Sequence, residues 1–172
     1  MATEKKDYDK PVPLIEKWSQ PFWDSIKTHR PLIRKCKNGH VNFPYTALCG
    51  RCGSHEHQWV PLSGKGTIFS FAIYYQLWHS GWKDDVPYNA VLVELDEGIQ
   101  VPGDVVGIKN EEIDVGMRVE MAFDDVTPEV TIWHFQPLEP LQFAAHPLGR
   151  RYRYEDRPKP RDSAVSATMR GR

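Results

Sequence analysis

All three cysteines of the chain, Cys36, Cys49 and Cys52, fall within one stretch, "CKNGHVNFPYTALCGRCG", residues 36–53. Thiolates and imidazoles are the donors that a tetrahedral metal such as zinc selects. Cys49 and Cys52 stand at C-x2-C spacing followed by Gly53, the pattern of a metal knuckle, in which a glycine turn brings two sulfurs to one point. Cys36 lies twelve intervening residues upstream, room for a two-stranded ribbon between two knuckles. Where a second cysteine would complete the first knuckle, the chain has Gly39 and then His40. His40 is the leading fourth donor, and His55 and His57 compete with it. Free thiols in a small core are the bland alternative, but such thiols have no reason to adopt knuckle spacing. Three thiolates and an imidazole close the coordination shell, whereas a catalytic zinc keeps a position for water. The expected cofactor is therefore one structural zinc ion on Cys36, His40, Cys49 and Cys52. It would staple about thirty residues that are too few to hold themselves by burial.

Other chemistry is sparse. An acyl-transfer enzyme needs a nucleophile with a base and an oxyanion hole, and the metal site claims every thiol. The chain has no G-x-S-x-G, P-loop or dinucleotide fingerprint. His79 in "LWHSGW" is a lone loop histidine, more simply read as a surface or hydrogen-bonding residue. The pairs Asp84-Asp85, Glu111-Glu112 and Asp124-Asp125 read as solvated turns. No catalytic residue is assigned, and the chain is not expected to be an enzyme on its own.

The elements that must position these residues follow from periodicity. Residues 14–30, "LIEKWSQPFWDSIKTHR", read as a helix, with Ser19 or Gln20 as cap, Pro21 in the first turn, and Trp18, Phe22, Trp23 and Ile26 at helical spacing. Packing on the chain's own domain and docking on a partner are both open for so aromatic a face. "TIFSFAIYY" alternates as a strand, with Phe69, Phe71, Ile73 and Tyr75 on one face. A loop over 76–87 holds Trp78, His79 and Trp82, and four more short strands follow. The fold expected is mainly β: an N-terminal helix, a rubredoxin-like zinc ribbon and a five-stranded OB-fold barrel. The divisions are 1–30 (arm and docking helix), 31–60 (ribbon), 61–143 (barrel) and 144–172 (basic tail).

Charge bears on partners. From Arg150 to Arg172 eight basic residues face three acidic ones, about +5, in a segment expected to run extended or to drape on another surface. Residues 61–138 carry four basic side chains against thirteen acidic ones, about −9, a poor funnel for a phosphate backbone. A nucleic-acid-binding ribbon and barrel is thus the alternative function, and a disfavoured one. The N-terminus is charged and proline-bearing without an apolar run, and no stretch approaches the ~20 apolar residues of a membrane span. With three cysteines that form no disulfide framework, the expected address is the cytoplasm.

The order of the pieces "PFWDSIKTHRPLIRKCKNGHVNFPYTALCGRCGS", "WVPLSGKGTIFSFAIYY", "VPYNAVLVELDEGIQVPGDVVGI" and "VGMRVEMAFDDV" resembles the DUF35 family of zinc-ribbon OB-fold proteins associated with acyl-CoA metabolism. The resemblance covers roughly residues 21–137. It implies a non-catalytic accessory subunit beside a thiolase-fold catalytic chain, in a two-plus-two heterotetramer, with coenzyme A or acyl-CoA at or near the interface. Trp18, Phe22, Trp23, Trp78 and Trp82 are the expected docking residues. The family pattern has two cysteines in the first knuckle, so Gly39-His40 departs from it.

Overall fold

In a computed structural model, residues 8–43 and 48–138 are described. The basic tail expected over 144–172 lies outside the described residues, as do residues 1–7 and 44–47. The elements run α1 (Gln20–Lys27), β1 (Leu32–Cys36), β2 (Val41–Asn42), β3 (His57–Pro61), β4 (Lys65–Tyr74), β5 (Tyr88–Leu95), β6 (Gln100–Gly103), β7 (Arg118–Asp124) and β8 (Ile132–Pro137). One-turn 3-10 segments at Ser80–Trp82 and Asn110–Glu112 interrupt the long connections.

The helix is shorter than its aromatic spacing suggests. Ser19 does not cap α1 through its side chain; its hydroxyl donates to the Glu16 carbonyl at 2.9 Å and accepts the Glu16 amide at 3.0 Å. That closes a separate turn, and Pro21, which lacks an amide hydrogen, sits in the first turn of the helix that begins at Gln20. The C-terminal end is a Schellman turn. The His29 amide donates to the Ile26 carbonyl (2.9 Å) and the Arg30 amide to that of Ser25 (3.1 Å), with His29 at φ 55°. Pro31 then prevents the helix from continuing.

The three-stranded sheet has the order β2-β1-β3, so the two-stranded ribbon expected between the knuckles gains a third strand. β3 pairs along all of β1, from Leu32 opposite Pro61 to Cys36 opposite His57. The five-stranded sheet has the order β6-β5-β4-β7-β8, and a parallel bridge between Val105 and Phe135 joins its two edges. That closure and order are those of an OB-fold. Ile68, Val91, Val93, Leu95, Val101, Val119 and Phe135 fill the interior.

The alternation expected along β4 breaks at one point. A bulge between Ile68 and Ser70 inserts a residue and reverses the parity of the strand. Phe69 is turned outward, whereas Ile68, Phe71 and Ile73 belong to the core side.

Helix α1 packs across one end of the barrel. Phe22, Trp23 and Ile26 form a buried cluster against Ile15, Phe43, Trp59, Phe123 and Trp133. The Phe22 and Trp133 rings meet edge to face with centroids 5.7 Å apart. Docking of Phe22 and Trp23 on a partner is therefore corrected: these side chains are already enclosed by the chain's own ribbon and barrel.

Candidate metal centre and exposed aromatic residues

The four donor atoms of Cys36, His40, Cys49 and Cys52 converge, all lying within 4.8 Å of one another. The His40 Nδ1 is 3.5 Å from the Cys36 sulfur and 3.6 Å from that of Cys49, and the Cys36 and Cys52 sulfurs are 3.8 Å apart. Such a set could hold a tetrahedral metal ion. Two tight turns produce it. In the first, the Gly39 amide donates to the Cys36 carbonyl and the Cys36 amide to the His40 carbonyl, both at 2.9 Å. In the second, the Gly53 amide donates to the Cys49 carbonyl at 2.8 Å. Gly39 (φ 84°) and Gly53 (φ 68°) take the left-handed conformation these turns require.

The competing histidines are elsewhere. His57 stacks no donor into the cluster; its ring contacts the Arg34 guanidinium and its Nδ1 meets the His55 carbonyl. His55 is solvent-exposed. Asn42 is a residue that sequence reasoning missed. Its amide donates to the His40 carbonyl (3.0 Å) and its carbonyl oxygen accepts the Gly50 amide (3.3 Å), tying one knuckle to the other. An asparagine inside a "VNF" strand is the faint signal that could have revealed it.

The local field favours thiolates at the second knuckle. Burial opposes ionisation of Cys49, but the Arg51 and Cys52 amides, with the Cys52 and His40 side chains, prevail and lower its pKa to about 6. The Ser54 amide, then Asn38 and His40, lower Cys52. Cys36 moves the other way because burial outweighs the amide hydrogen bonds it receives. His40 is raised by hydrogen bonds to Cys52 and Cys49.

Of the expected docking residues, Trp18 and Trp78 are exposed, at 51% and 67%. Trp82 is half-buried, stacked on Tyr88, which in turn stacks on Tyr74 with centroids 5.3 Å apart. The loop carrying them is pinned by the Lys10–Asp85 ion pair at 2.7 Å. His79 is occupied locally: its Nδ1 accepts the Gly81 amide at the start of the 3-10 turn. The acidic pairs do not converge either, since Asp125 meets His29 and Thr131 while Glu112 accepts the Lys109 amide.

Fold and site together define a class: an OB-fold barrel joined to a ribbon whose knuckles gather three thiols and an imidazole. Residues 59–124 match the model of the ChsH2 C-terminal OB-fold domain. A DUF35 domain-containing scaffold protein of Methanocaldococcus jannaschii is 36% identical over 107 residues, covering 59% of this chain and 73% of that protein. The chain belongs to the DUF35 family. It is also 29% identical over 134 residues to a probable enoyl-CoA hydratase alpha subunit of Thermomonospora curvata, of which it spans 41% of the length. Among solved structures, the Ltp2-ChsH2(DUF35) aldolase superposes with a TM-score of 0.66 at 28% identity, over 73% of this chain and 98% of that one. In the described residues no helix is long and apolar enough to cross a membrane.

Proposed function

We propose that the protein is a non-catalytic, zinc-holding accessory subunit of an acyl-CoA-processing complex. The observation that carries this reading is the convergence of all three cysteines with His40 on one point. A regular tetrahedron with Zn–S near 2.3 Å and Zn–N near 2.05 Å has edges of about 3.8 Å between sulfurs and about 3.6 Å from sulfur to nitrogen. The three separations of 3.8, 3.5 and 3.6 Å match those edges. Thiols committed to a closed zinc shell are not available as acyl nucleophiles, so the reacting residues belong to another chain. The similarity to a probable enoyl-CoA hydratase alpha subunit and to the Ltp2-ChsH2(DUF35) aldolase supports a partnership of this kind.

On this reading the partner is a thiolase-fold catalytic chain in a two-plus-two heterotetramer. Trp18 and the Trp78–Trp82 loop are the contacts, and coenzyme A or acyl-CoA sits at or near the interface. The finer assignment is to the small zinc-finger subunit of benzoylsuccinyl-CoA thiolase, in anaerobic toluene degradation. Co-expression with a candidate thiolase-fold catalytic protein tests the proposal. A stable complex that needs both chains for acyl-CoA turnover is expected. A chain that neither binds that protein nor alters its activity refutes it.

A further inference from the structure

A cavity of about 530 Å³ lies at the junction of ribbon and barrel, apart from both the knuckles and the aromatic loop. That size falls in the range of small-molecule sites, which favour such junctions. Its apolar walls come from Leu32 on β1, Leu62 in the linker, and Met121 and Phe123 on β7. Its polar groups are His29, Arg30, Ser63 and Glu120. Glu120 is engaged by the Gln136 side chain at 3.1 Å. Arg30, by contrast, has no carboxylate partner among the described residues.

The way His29 is held also points to a built site. It occupies the left-handed position of the Schellman turn, where glycine would be free of strain. Its ring lies flat on Phe123, with centroids 5.0 Å apart and planes 7° from parallel. One ring nitrogen meets Asp125 at 3.2 Å, and Asp125 accepts the Thr131 hydroxyl at 2.6 Å. The fixed imidazole and the guanidinium, both at the exposed rim, and the apolar floor suit a ligand that joins an anionic group to an apolar body.

We propose that this cavity binds a small organic carboxylate with a flat apolar body. The body would rest among Leu62, Met121 and Phe123 and the carboxylate would meet Arg30. The site stands independently of the accessory-subunit reading.

The test uses the full-length, metal-loaded chain, with benzoate as probe and benzyl alcohol as its uncharged counterpart, followed by nitrogen-15 NMR. Benzoate should shift the amides of Leu32, Met121 and Phe123 and bind about tenfold more tightly than benzyl alcohol. Arg30→Gln should erase that tenfold preference. His29→Gly, which suits the backbone of the turn, should weaken benzoate while the spectrum stays folded. Equal binding of the two probes, an unchanged affinity in Arg30→Gln, or no shifts at tens of millimolar benzoate each overturn the proposal. So does much tighter binding of a short peptide ending in phenylalanine, which would make the cavity a protein-docking site.

Discussion

Replacing Phe22 by alanine separates a core helix from a docking helix. Phe22 is 1% exposed and its ring meets Trp23, Phe43 and Trp133 at centroid distances of 5.4, 6.2 and 5.7 Å. Truncating a phenylalanine this deeply buried costs about 3–5 kcal/mol, because the neighbours relax only partly into the space. The neighbours here are large rings on α1 itself, just after β2 and on β8, which resist collapse and favour the upper part of that range. In a domain of this size the loss corresponds to a fall in melting temperature of roughly 10–15 °C. Urea unfolding should show a lower midpoint with an unchanged slope, the mark of lost stability rather than a changed unfolded state. Trp78→Ala is the control: at 67% exposure it should alter stability by less than about 0.5 kcal/mol. A Phe22→Ala protein that keeps its stability within about 1 kcal/mol, yet no longer assembles with a partner, would refute the packing argument.

Three further outcomes follow from the same geometry. His40→Ala should purify with clearly less than one zinc per chain by elemental analysis, whereas His55→Ala and His57→Ala should keep a full equivalent. Asn42→Ala, which cuts the link between the knuckles, should weaken zinc binding about 10–100-fold in competition with a chelator, as loss of an outer partner does. The His134 ring is held by Asp104 at 2.6 Å, and that hydrogen bond raises its pKa against the opposing effect of burial. A raised folded-state pKa gives stability that is complete below about 6.5, the unfolded value, and is lost as pH rises through the folded one. Asp104→Asn should therefore be more destabilising at pH 5.5 than at pH 9, measured by urea unfolding at both.

The barrel was legible in the sequence because its strands are short, alternate in polarity and end at Gly, Asp or Pro. The parity of Phe69 was not, since a bulge adds one residue without any change in composition. The aromatic spacing from Trp18 to Ile26 fits a helix over 14–30, but a serine hydroxyl that bonds back to Glu16 delays the start to Gln20. β3 escaped notice because "HQWVP" carries no alternation, and pairing with β1 alone makes it a strand. The candidate metal cluster was the most legible feature, since coordination demands particular residue types at short spacings. Only the fold could choose among the histidines, by taking His57 to Arg34. No pattern along the chain tells an aromatic that faces its own barrel from one that faces outward. Phe22 and Trp78 were equal candidates until the helix was placed.

The metal centre and the helix are mechanically linked through one short segment. His40 belongs to the candidate metal cluster, Asn42 ties the knuckles, and Phe43 belongs to the packing of both the barrel core and the helix cluster. Ile33, on the strand that delivers Cys36, is fully buried in the barrel core. A metal that fixes Cys36 and His40 therefore also fixes where Ile33 and Phe43 enter the interior. The free energy of such a metal would not be confined to the ribbon. It would bear on the placement of α1 and so on the part of the barrel that α1 covers. On the proposed reading, a metal bound at the knuckles would lend order to the body that carries Trp78.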